Sequence, residues 1–194
     1  MARPKEFDES QALAAALEVF WEKGYEAASV QDLTERMGIQ KASLYNTFGD
    51  KHALFVRALG AYSGETLEWY REQLDRPGPL RSTLAAMFRE LTDGCEDDDC
   101  RGCLCVNSAI ELAPHDPAIA ALLNQHNQSQ EELFRRAIER AQRAGEVAAA
   151  VDPTATARYM LNVIAGLGVA RKGGAPRERL EDIVRISLSV LDRH

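Results

Sequence analysis

The sequence lacks the features that mark membrane-spanning, secreted and disordered proteins. It has no apolar run approaching 18 residues, so we expect no membrane-spanning helix. Its only block of like charge is the short Glu96–Asp99 run, and 45% of its 194 residues are hydrophobic, which predicts a buried core. The first residues contain no apolar stretch of the kind that a signal peptide needs, so we expect a cytoplasmic protein.

Motifs for common enzyme chemistry are also missing. The sequence contains no phosphate-binding loop, nucleophile elbow or metalloprotease signature. Cys103 with His115 or His126 would supply a nucleophile and a base, but no spacing supports that pairing. We therefore expect no catalytic residues and no cofactor.

Helical periodicity is present along almost the whole chain, and long alternation of apolar and polar residues is absent. Glycine and proline divide the periodic segments into nine predicted helices with no sheet, which makes the predicted fold class all-α. The predicted helices span residues 7–23, 30–37, 40–48, 51–74, 80–92, 104–112, 118–144, 153–170 and 177–191.

Residues 29–48 have the pattern of a helix-turn-helix. Ser29 and Asp32 have the spacing of a capping box, and Gly38 supplies the turn between two short helices. The second helix of such a unit can lie in the major groove of DNA.

The net charge of this region is evidence against DNA binding. Residues 1–52 contain six Lys/Arg and nine Asp/Glu, whereas a DNA-binding head is usually basic. We expect Glu18, Glu22 and Glu26 to lie on the first helix, facing away from DNA. The alternative is a helical hairpin that binds a protein partner.

The same stretch resembles the DNA-binding head of the TetR family of transcriptional regulators. The resemblance covers residues 10–60 and rests on Gly24-Tyr25, Ser29-Val30, Leu33, Gly38-Ile39, Ser43-Leu44-Tyr45, Phe48 and Lys51. It implies a nine-helix fold with a DNA-binding head (residues 1–52) and a ligand-binding and dimerisation body (residues 53–194). It also implies a homodimeric regulator of transcription, which we expect to be a repressor because most of that family represses by occluding a promoter.

The resemblance assigns roles to the residues of the head. Four residues would open the recognition helix and face base edges, where Gln can pair with adenine and Lys with guanine: Gln40, Lys41, Ala42 and Ser43. Five would contact the DNA backbone, which fixes register without reading sequence: Ser29, Tyr45, Asn46, Thr47 and Lys51. Thr47 stands where many members have an aromatic residue or His, and its hydroxyl could donate to a phosphate. Arg3 and Lys5 could reach a neighbouring groove.

The end of the chain is predicted to form the dimer. The segment Tyr159–Ala170 is apolar nearly all round, as expected for a helix that is buried on two sides. Gly166 and Gly168 would allow another helix to approach closely. With the Leu180–Leu191 stripe, this segment is predicted to form a four-helix bundle with a second copy, and an intramolecular core is the alternative.

The resemblance also implies a pocket for a small-molecule inducer among the middle helices. The candidate lining residues are Phe88, Cys103, Asn107, Ile110, His126, Phe134 and Asn162. His126 interrupts the apolar stripe of its helix. It is either a core histidine with a hydrogen-bonding neighbour or a polar contact in the pocket.

All four cysteines fall within eleven residues: Cys95, Cys100, Cys103 and Cys105. A metal site is one interpretation, but the spacing is not a common zinc pattern, and we expect no metal. Two cysteines two positions apart in a helix would point about 200° from each other. That leaves Cys95, Cys100 and Cys103, with His115, as the ligands that could converge.

A thiol switch is the second interpretation of the cluster. Cys103 lies at a predicted helix N-terminus beside Arg101, and both features favour a thiolate, with Cys100 as a candidate partner. The segment around it is similar to a subgroup of TetR regulators, some of which sense electrophiles or oxidants through a Cys there. The third interpretation is that Cys103 and Cys105 are small buried apolar residues.

Together these observations predict a dimeric regulator that binds double-stranded operator DNA. A small-molecule inducer, or oxidation or electrophilic modification of a thiol, would release it from the DNA. The alternatives are a helical protein-interaction module and a small thiol enzyme, neither of which would bind DNA.

Overall fold

A computed structural model describes residues 7–93 and 101–192 of the chain. Over these ranges the protein consists of nine α-helices and one short 3-10 helix, without a strand, which confirms the all-α prediction. The α-helices are α1 (Glu9–Lys23), α2 (Val30–Met37), α3 (Lys41–Phe48), α4 (Lys51–Leu74), α5 (Leu80–Asp93), α6 (Leu104–Glu111), α7 (Pro117–Arg143), α8 (Pro153–Lys172) and α9 (Arg177–Leu188).

Local capping interactions set the boundaries of α2. The Ser29 hydroxyl oxygen accepts from the backbone N–H of Asp32 at 3.0 Å, and the Asp32 carboxylate accepts from the backbone N–H of Ser29 at 3.0 Å. This is the predicted capping box. Gly38 ends the helix at φ 65°, a left-handed conformation that glycine adopts without a Cβ clash, and α3 begins three residues later at Lys41.

The buried residues form two apolar clusters. The first joins α1, α2 and α3 to the first half of α4, and it includes Leu104 from α6 and Ile119 from α7. The second fills the space between the remainder of α4 and helices α5, α7, α8 and α9. The first cluster therefore contains residues of both the head and the body, so the two are packed together rather than joined by a linker.

Helix α4 connects the two clusters. It runs without a break from Lys51 to Leu74, across the predicted division between residues 52 and 53. Asp50 caps its first turn by accepting from the backbone N–H of Ala53 at 2.7 Å.

Three sequence predictions are wrong in detail. Helix α1 ends at Lys23, so Glu26 lies in the turn after it and not on the first helix. Helix α9 ends at Leu188, and a 3-10 helix (Ser189–Asp192) continues where an α-helix to residue 191 was expected. Helix α8 continues to Lys172, two residues beyond its predicted end, because Gly173 is the first residue to stop it.

Within the described ranges, no helix combines the length and the apolar character needed to cross a membrane. Four residues singled out in the sequence lie outside those ranges: Arg3, Lys5, Cys95 and Cys100.

Candidate DNA interface and junction site

Helix α3 presents most of its predicted DNA-binding residues to solvent. Its inner side is held by Leu44 and Phe48, which are fully or almost fully buried in the first cluster. The exposed residues are Gln40, Lys41, Ala42, Tyr45 and Asn46, and the half-buried ones are Ser43 and Thr47. The Gln40 side chain does not cap the helix, so its amide is available for an external contact.

Two contacts order the outer surface of α3. The Lys41 ammonium lies 5.9 Å from the centroid of the Tyr45 ring, within the range of a cation–π interaction. The Thr47 carbonyl oxygen accepts a hydrogen bond of 3.3 Å from Arg57 on α4, which also lies 4.7 Å from the Phe48 ring. Arg57 therefore ties the end of α3 to α4.

The other two predicted backbone contacts, Ser29 and Lys51, already have partners inside the protein. The Ser29 hydroxyl donates to the Asp32 carboxylate at 2.7 Å. The Lys51 ammonium lies 4.5 Å from the Tyr25 ring and donates to the Glu26 carbonyl oxygen at 3.3 Å. Lys51 must exchange this backbone partner for a phosphate if it contacts DNA.

Several acidic side chains of the head lie in ion pairs away from α3. Glu22 pairs with Arg36 at 2.9 Å, and Asp32 pairs with Lys23 at 2.6 Å. Glu18 pairs with Arg101 of the body. None of these acidic residues lies on α3, whose sequence from Lys41 to Phe48 contains no Asp or Glu.

A second group of contacts joins the end of α1 and the turn after it to the two ends of α6, and we call this region the junction. The Trp21 indole N–H donates to the Gly102 carbonyl oxygen at 2.9 Å. The backbone N–H of Glu26 donates to the Glu111 carboxylate at 3.4 Å. The junction thus connects the head to both ends of α6.

Cys103 is the N-cap of α6, and its sulfur has two side-chain partners. The Tyr62 hydroxyl of α4 donates to it at 3.7 Å, and the Cys105 thiol also hydrogen-bonds to it. The hydrogen bond from Cys105 lowers the pKa of Cys103 to about 6, with help from the Val106 backbone N–H at the helix start, against the opposing effect of burial. The same hydrogen bond, together with burial, raises the pKa of Cys105.

This arrangement corrects two sequence arguments about the cysteines. Cys103 precedes α6 with extended backbone, φ −89° and ψ 124°, so it does not point away from Cys105 as two helical residues would. Arg101 is turned toward α1, where it pairs with Glu18 and lies 5.3 Å from the Trp21 ring. The thiolate of Cys103 is stabilised by thiol and backbone donors rather than by the neighbouring guanidinium.

A cavity of about 490 Å³ opens at the junction, between α1, α6 and the end of α8. Three of the predicted inducer-binding residues line it: Cys103, Asn107 and Ile110.

The structure places the other four predicted inducer-binding residues outside this cavity. Phe88 and Phe134 are buried in the second cluster, and Asn162 is exposed on α8 with its amide donating to the Arg158 carbonyl oxygen. The His126 ring lies between α7 and α4, with its Nδ1 2.6 Å from the Ser63 hydroxyl oxygen.

Sequence reasoning missed the contribution of the head to this cavity. Trp21 and Tyr25 line it from the head, Phe55 lines it from α4, and Ser108 lines it from α6. Trp21 follows Phe20 directly, and two consecutive large aromatic residues on one helix must face different neighbours. That pattern signals a second contact surface on α1 beyond the core of the head.

A two-helix unit with an exposed second helix, mounted on a larger helical body, is the arrangement of helix-turn-helix regulators of transcription. Comparison with protein families agrees. The family described as "Bacterial regulatory proteins, tetR family" matches residues 12–58, and "Tetracyclin repressor-like, C-terminal domain" matches residues 81–186. The chain belongs to the TetR family of transcriptional regulators, a family of DNA-binding proteins and not of enzymes.

Individual relatives match over nearly their whole length. An uncharacterized HTH-type transcriptional regulator of Bacillus subtilis (strain 168), YezE, is 38% identical over 99% of this chain and 100% of its own. The HTH-type transcriptional repressor ComR of Escherichia coli (strain K12) is 31% identical over 96% of this chain and 90% of its own. Among solved structures, a cysteine mutant of the TetR family regulator CifR, complexed with 26 bp operator DNA, is 37% identical. The match covers 96% of this chain and 98% of the CifR chain, with a TM-score of 0.83.

Proposed function

We propose that this protein is a homodimeric repressor that binds operator DNA with α3 and is released when the junction is disturbed. The disturbance is a small-molecule inducer or a chemical change at Cys103. The observation that carries the proposal is the position of Cys103, whose sulfur touches α4 through Tyr62 while the next residue back, Gly102, holds Trp21 of α1.

Operator binding through α3 is supported by the exposure of its outer residues. Gln40 and Lys41 stand at the exposed start of the helix, where a recognition helix contacts base edges. The complex of the related CifR mutant with operator DNA supports the same mode of action. The relative ComR is named as a repressor, and this supports repression for the present chain.

A dimer through α8 and α9 is supported by the apolar surface that these helices leave open. Tyr159, Val169 and Ile186 are 40%, 51% and 56% exposed. At Gly166 and Gly168 of α8, a Cβ atom would meet nothing within 4 Å in the described part of the chain. These glycines leave room for the backbone of another helix, as a four-helix bundle between two copies requires.

Release through Cys103 is supported by the chemistry of its sulfur. Because the hydrogen bond from Cys105 lowers the pKa of Cys103, this cysteine forms the thiolate, the reactive form of cysteine, at lower pH than an ordinary thiol does. Adding a group to this sulfur removes the hydrogen bond from Tyr62 and crowds the start of α6. The Gly102–Trp21 contact then transmits the displacement to α1.

The test begins with the fully reduced protein and fragmented genomic DNA. Sequencing of the retained fragments should reveal an enriched palindrome, and light scattering should give the mass of a dimer. Oxidant or an alkylating agent should then release the enriched DNA from the wild type but not from Cys103→Ser. Release of DNA from Cys103→Ser at the wild-type dose would contradict the thiol mechanism. A protein that retains no DNA at any salt concentration would instead favour a role in protein binding.

A further inference from the structure

Helix α3 is too short to hold its own orientation. Its eight residues make about two turns, and a helix of that length depends on tertiary contacts for its stability. Its two buried side chains, Leu44 and Phe48, are four positions apart and lie nearly on one line along the helix. They hold the inner side of α3, but contacts along a single line resist a roll of the helix only weakly. A contact away from that line adds the constraint that fixes which side chains reach the bases.

Arg57 of α4 supplies such a contact at the end of α3. One terminal nitrogen of its guanidinium donates to the Thr47 carbonyl oxygen at 3.3 Å, and the guanidinium carbon lies 4.7 Å from the centroid of the Phe48 ring. The last turn of α3 contains no basic residue of its own. Because the C-terminal end of a helix carries unpaired carbonyl groups and a partial negative charge, the cation from α4 stabilises it there.

The other terminal nitrogen of Arg57 contacts a third helix. It donates at 3.4 Å to the carboxylate of Glu9, the first residue of α1. The side chains of Arg57 and Glu9 are 44% and 29% exposed, and an ion pair with this exposure contributes little to stability. The guanidinium group is a planar fork of donors, so one side chain can hold two acceptors in a fixed geometry. The contribution of Arg57 is therefore to the arrangement of α1, α3 and α4 rather than to the free energy of unfolding.

From these three contacts we propose that Arg57 is a positioning residue for operator recognition. It fixes the orientation of α3 on α1 and α4, and so determines which bases Gln40 and Lys41 reach, without contacting DNA itself. Both of its terminal nitrogens donate to protein acceptors, and its guanidinium lies against the Phe48 ring. This inference rests on the proposed function, since it requires that α3 reads the operator.

A change in orientation at the end of α3 is transmitted to its start. Lys41 lies six residues before Thr47, which is about 9 Å along the helix. Because a short helix moves as one unit, a roll of α3 alters all of its base contacts together. Loss of Arg57 should therefore weaken discrimination at several base pairs of the operator, whereas loss of Gln40 removes a single base contact.

The test compares two variants that change the charge of the protein in opposite directions. Arg57→Met removes a positive charge and Glu9→Met removes a negative one, and both break the same contact. If charge alone mattered, Arg57→Met would weaken binding to all DNA and Glu9→Met would strengthen it. If the contact positions α3, both variants should lose discrimination between bases, by about fivefold at two or more base pairs. The double variant should lose no more than Arg57→Met alone, because both substitutions remove one shared contact.

The matched control is Arg71→Met. Arg71 is an exposed arginine further along α4 that pairs with Glu68, so the variant loses the same charge and the same side-chain type. It should discriminate between bases as the wild type does.

The probe is a fluorescent duplex of the palindrome that the wild type retains, with each base pair varied in turn. Affinities are measured at several salt concentrations, and thermal unfolding of the same samples shows that each variant is folded. The slope of log affinity against log salt should be the same in Arg57→Met and the wild type. Loss of a direct phosphate contact would instead reduce that slope by about 0.9.

Wild-type discrimination between bases in Arg57→Met overturns the inference, and a reduced salt slope with discrimination intact does so by identifying a phosphate contact. Tighter binding of Glu9→Met to all DNA with unchanged discrimination also overturns it, as does an equal loss in Arg71→Met. If Arg57→Met does not fold, Glu9→Met decides the question. A wild type that retains no palindrome overturns the proposed function and this inference together, whereas wild-type discrimination in both variants overturns this inference alone.

Discussion

The Ser63 hydroxyl oxygen and the His126 Nδ1 lie 2.6 Å apart in the contact between α4 and α7. Both residues are buried, and His126 is only 3% exposed. Because burial disfavours the charged imidazolium, it lowers the pKa of His126 below the ordinary value of 6.5. The fold therefore holds this histidine in its neutral form.

Stability should consequently fall in mild acid. The unfolded chain takes up a proton on His126 as the pH falls below 6.5, while the folded chain does so only at lower pH. The contribution of the neutral His126 to the free energy of unfolding is fully present above pH 6.5 and is lost as the pH falls through the lower pKa of the folded state. Urea unfolding over a pH series should show this loss in the wild type and a weaker one in His126→Asn. Gln125→Ala changes an exposed neighbouring position on α7 and should keep the wild-type pH dependence of stability. If His126→Asn also kept that pH dependence, the loss of stability in mild acid would not come from His126.

Cys103 should react with iodoacetamide far below the pH at which ordinary thiols do. With its pKa lowered to about 6, its alkylation rate should level off above neutral pH and fall about tenfold for each pH unit below 6. Peptide mapping by mass spectrometry after timed quenching measures Cys103 separately from the other cysteines.

The hydrogen bond from the Cys105 thiol is the main cause of the lowered pKa of Cys103, so Cys105→Ala is the informative variant. It should move the midpoint of the Cys103 alkylation curve to higher pH. Cys105→Ser keeps a hydroxyl donor at the same place and should move the midpoint less. A midpoint that is identical in Cys105→Ala and the wild type would rule out the thiol hydrogen bond as the cause.

Substitutions on α3 should separate two kinds of DNA contact. Gln40→Ala should relax the choice of base at one position of the operator by about 1–3 kcal/mol, because it removes a base-edge contact. Tyr45→Ala should weaken binding to every sequence by a similar factor, because a backbone contact reads no sequence.

Fluorescence titrations of the operator and of its single-base variants measure both effects. Arg143→Ala, at the exposed end of α7, removes a positive charge outside the head and is the matched control. Equal discrimination between bases in Gln40→Ala and the wild type would show that Gln40 does not read the operator.

Ser29→Ala should lower the free energy of unfolding by about 1 kcal/mol, since it removes the hydroxyl that caps α2. Its oxygen accepts from the Asp32 backbone N–H at 3.0 Å, and the paired Asp32 carboxylate contact loses one donor as well. Chemical denaturation of the two proteins measures the difference. Ser29→Thr keeps a hydroxyl that can both accept from the Asp32 backbone N–H and donate to the Asp32 carboxylate, and it should recover most of the loss. An equal loss in Ser29→Thr and Ser29→Ala would mean that the Ser29 hydroxyl acts otherwise than as a cap.

Local signals explain why most helix boundaries could be predicted from the sequence. Gly38, Asp50 and Pro153 each act within a few residues of their own position, as a turn, an N-cap and a first-turn residue. The end of α9 was mispredicted because its apolar stripe continues to Leu191, and periodicity does not distinguish an α-helix from the 3-10 turn that follows it.

The cavity could not be predicted in the same way, because it is formed by contacts between distant parts of the chain. Periodicity places Phe88, His126 and Phe134 on the inward faces of their helices, and this is correct. A residue on an inward face can, however, pack tightly against its neighbours as well as line a cavity. Their partners, such as Tyr70 at 5.5 Å between ring centroids from Phe134, close the space that a ligand would need. The wall contributed by Trp21 depends on how α1 docks on α6, and no local pattern encodes that docking.

The unbroken length of α4 turns small motions of the body into large ones at the DNA. Its 24 residues span about 36 Å at about 1.5 Å per residue. A tilt of roughly 5° about its far end would therefore carry Asp50 and the adjoining α3 through about 3 Å. Two such lever arms, diverging from a common dimer axis, would add their displacements and change the distance between the recognition helices by an amount comparable to the width of a minor groove, about 6 Å. Under the proposed mechanism, a tilt of about 5° in α4 is therefore enough to take the recognition helices out of register with the operator.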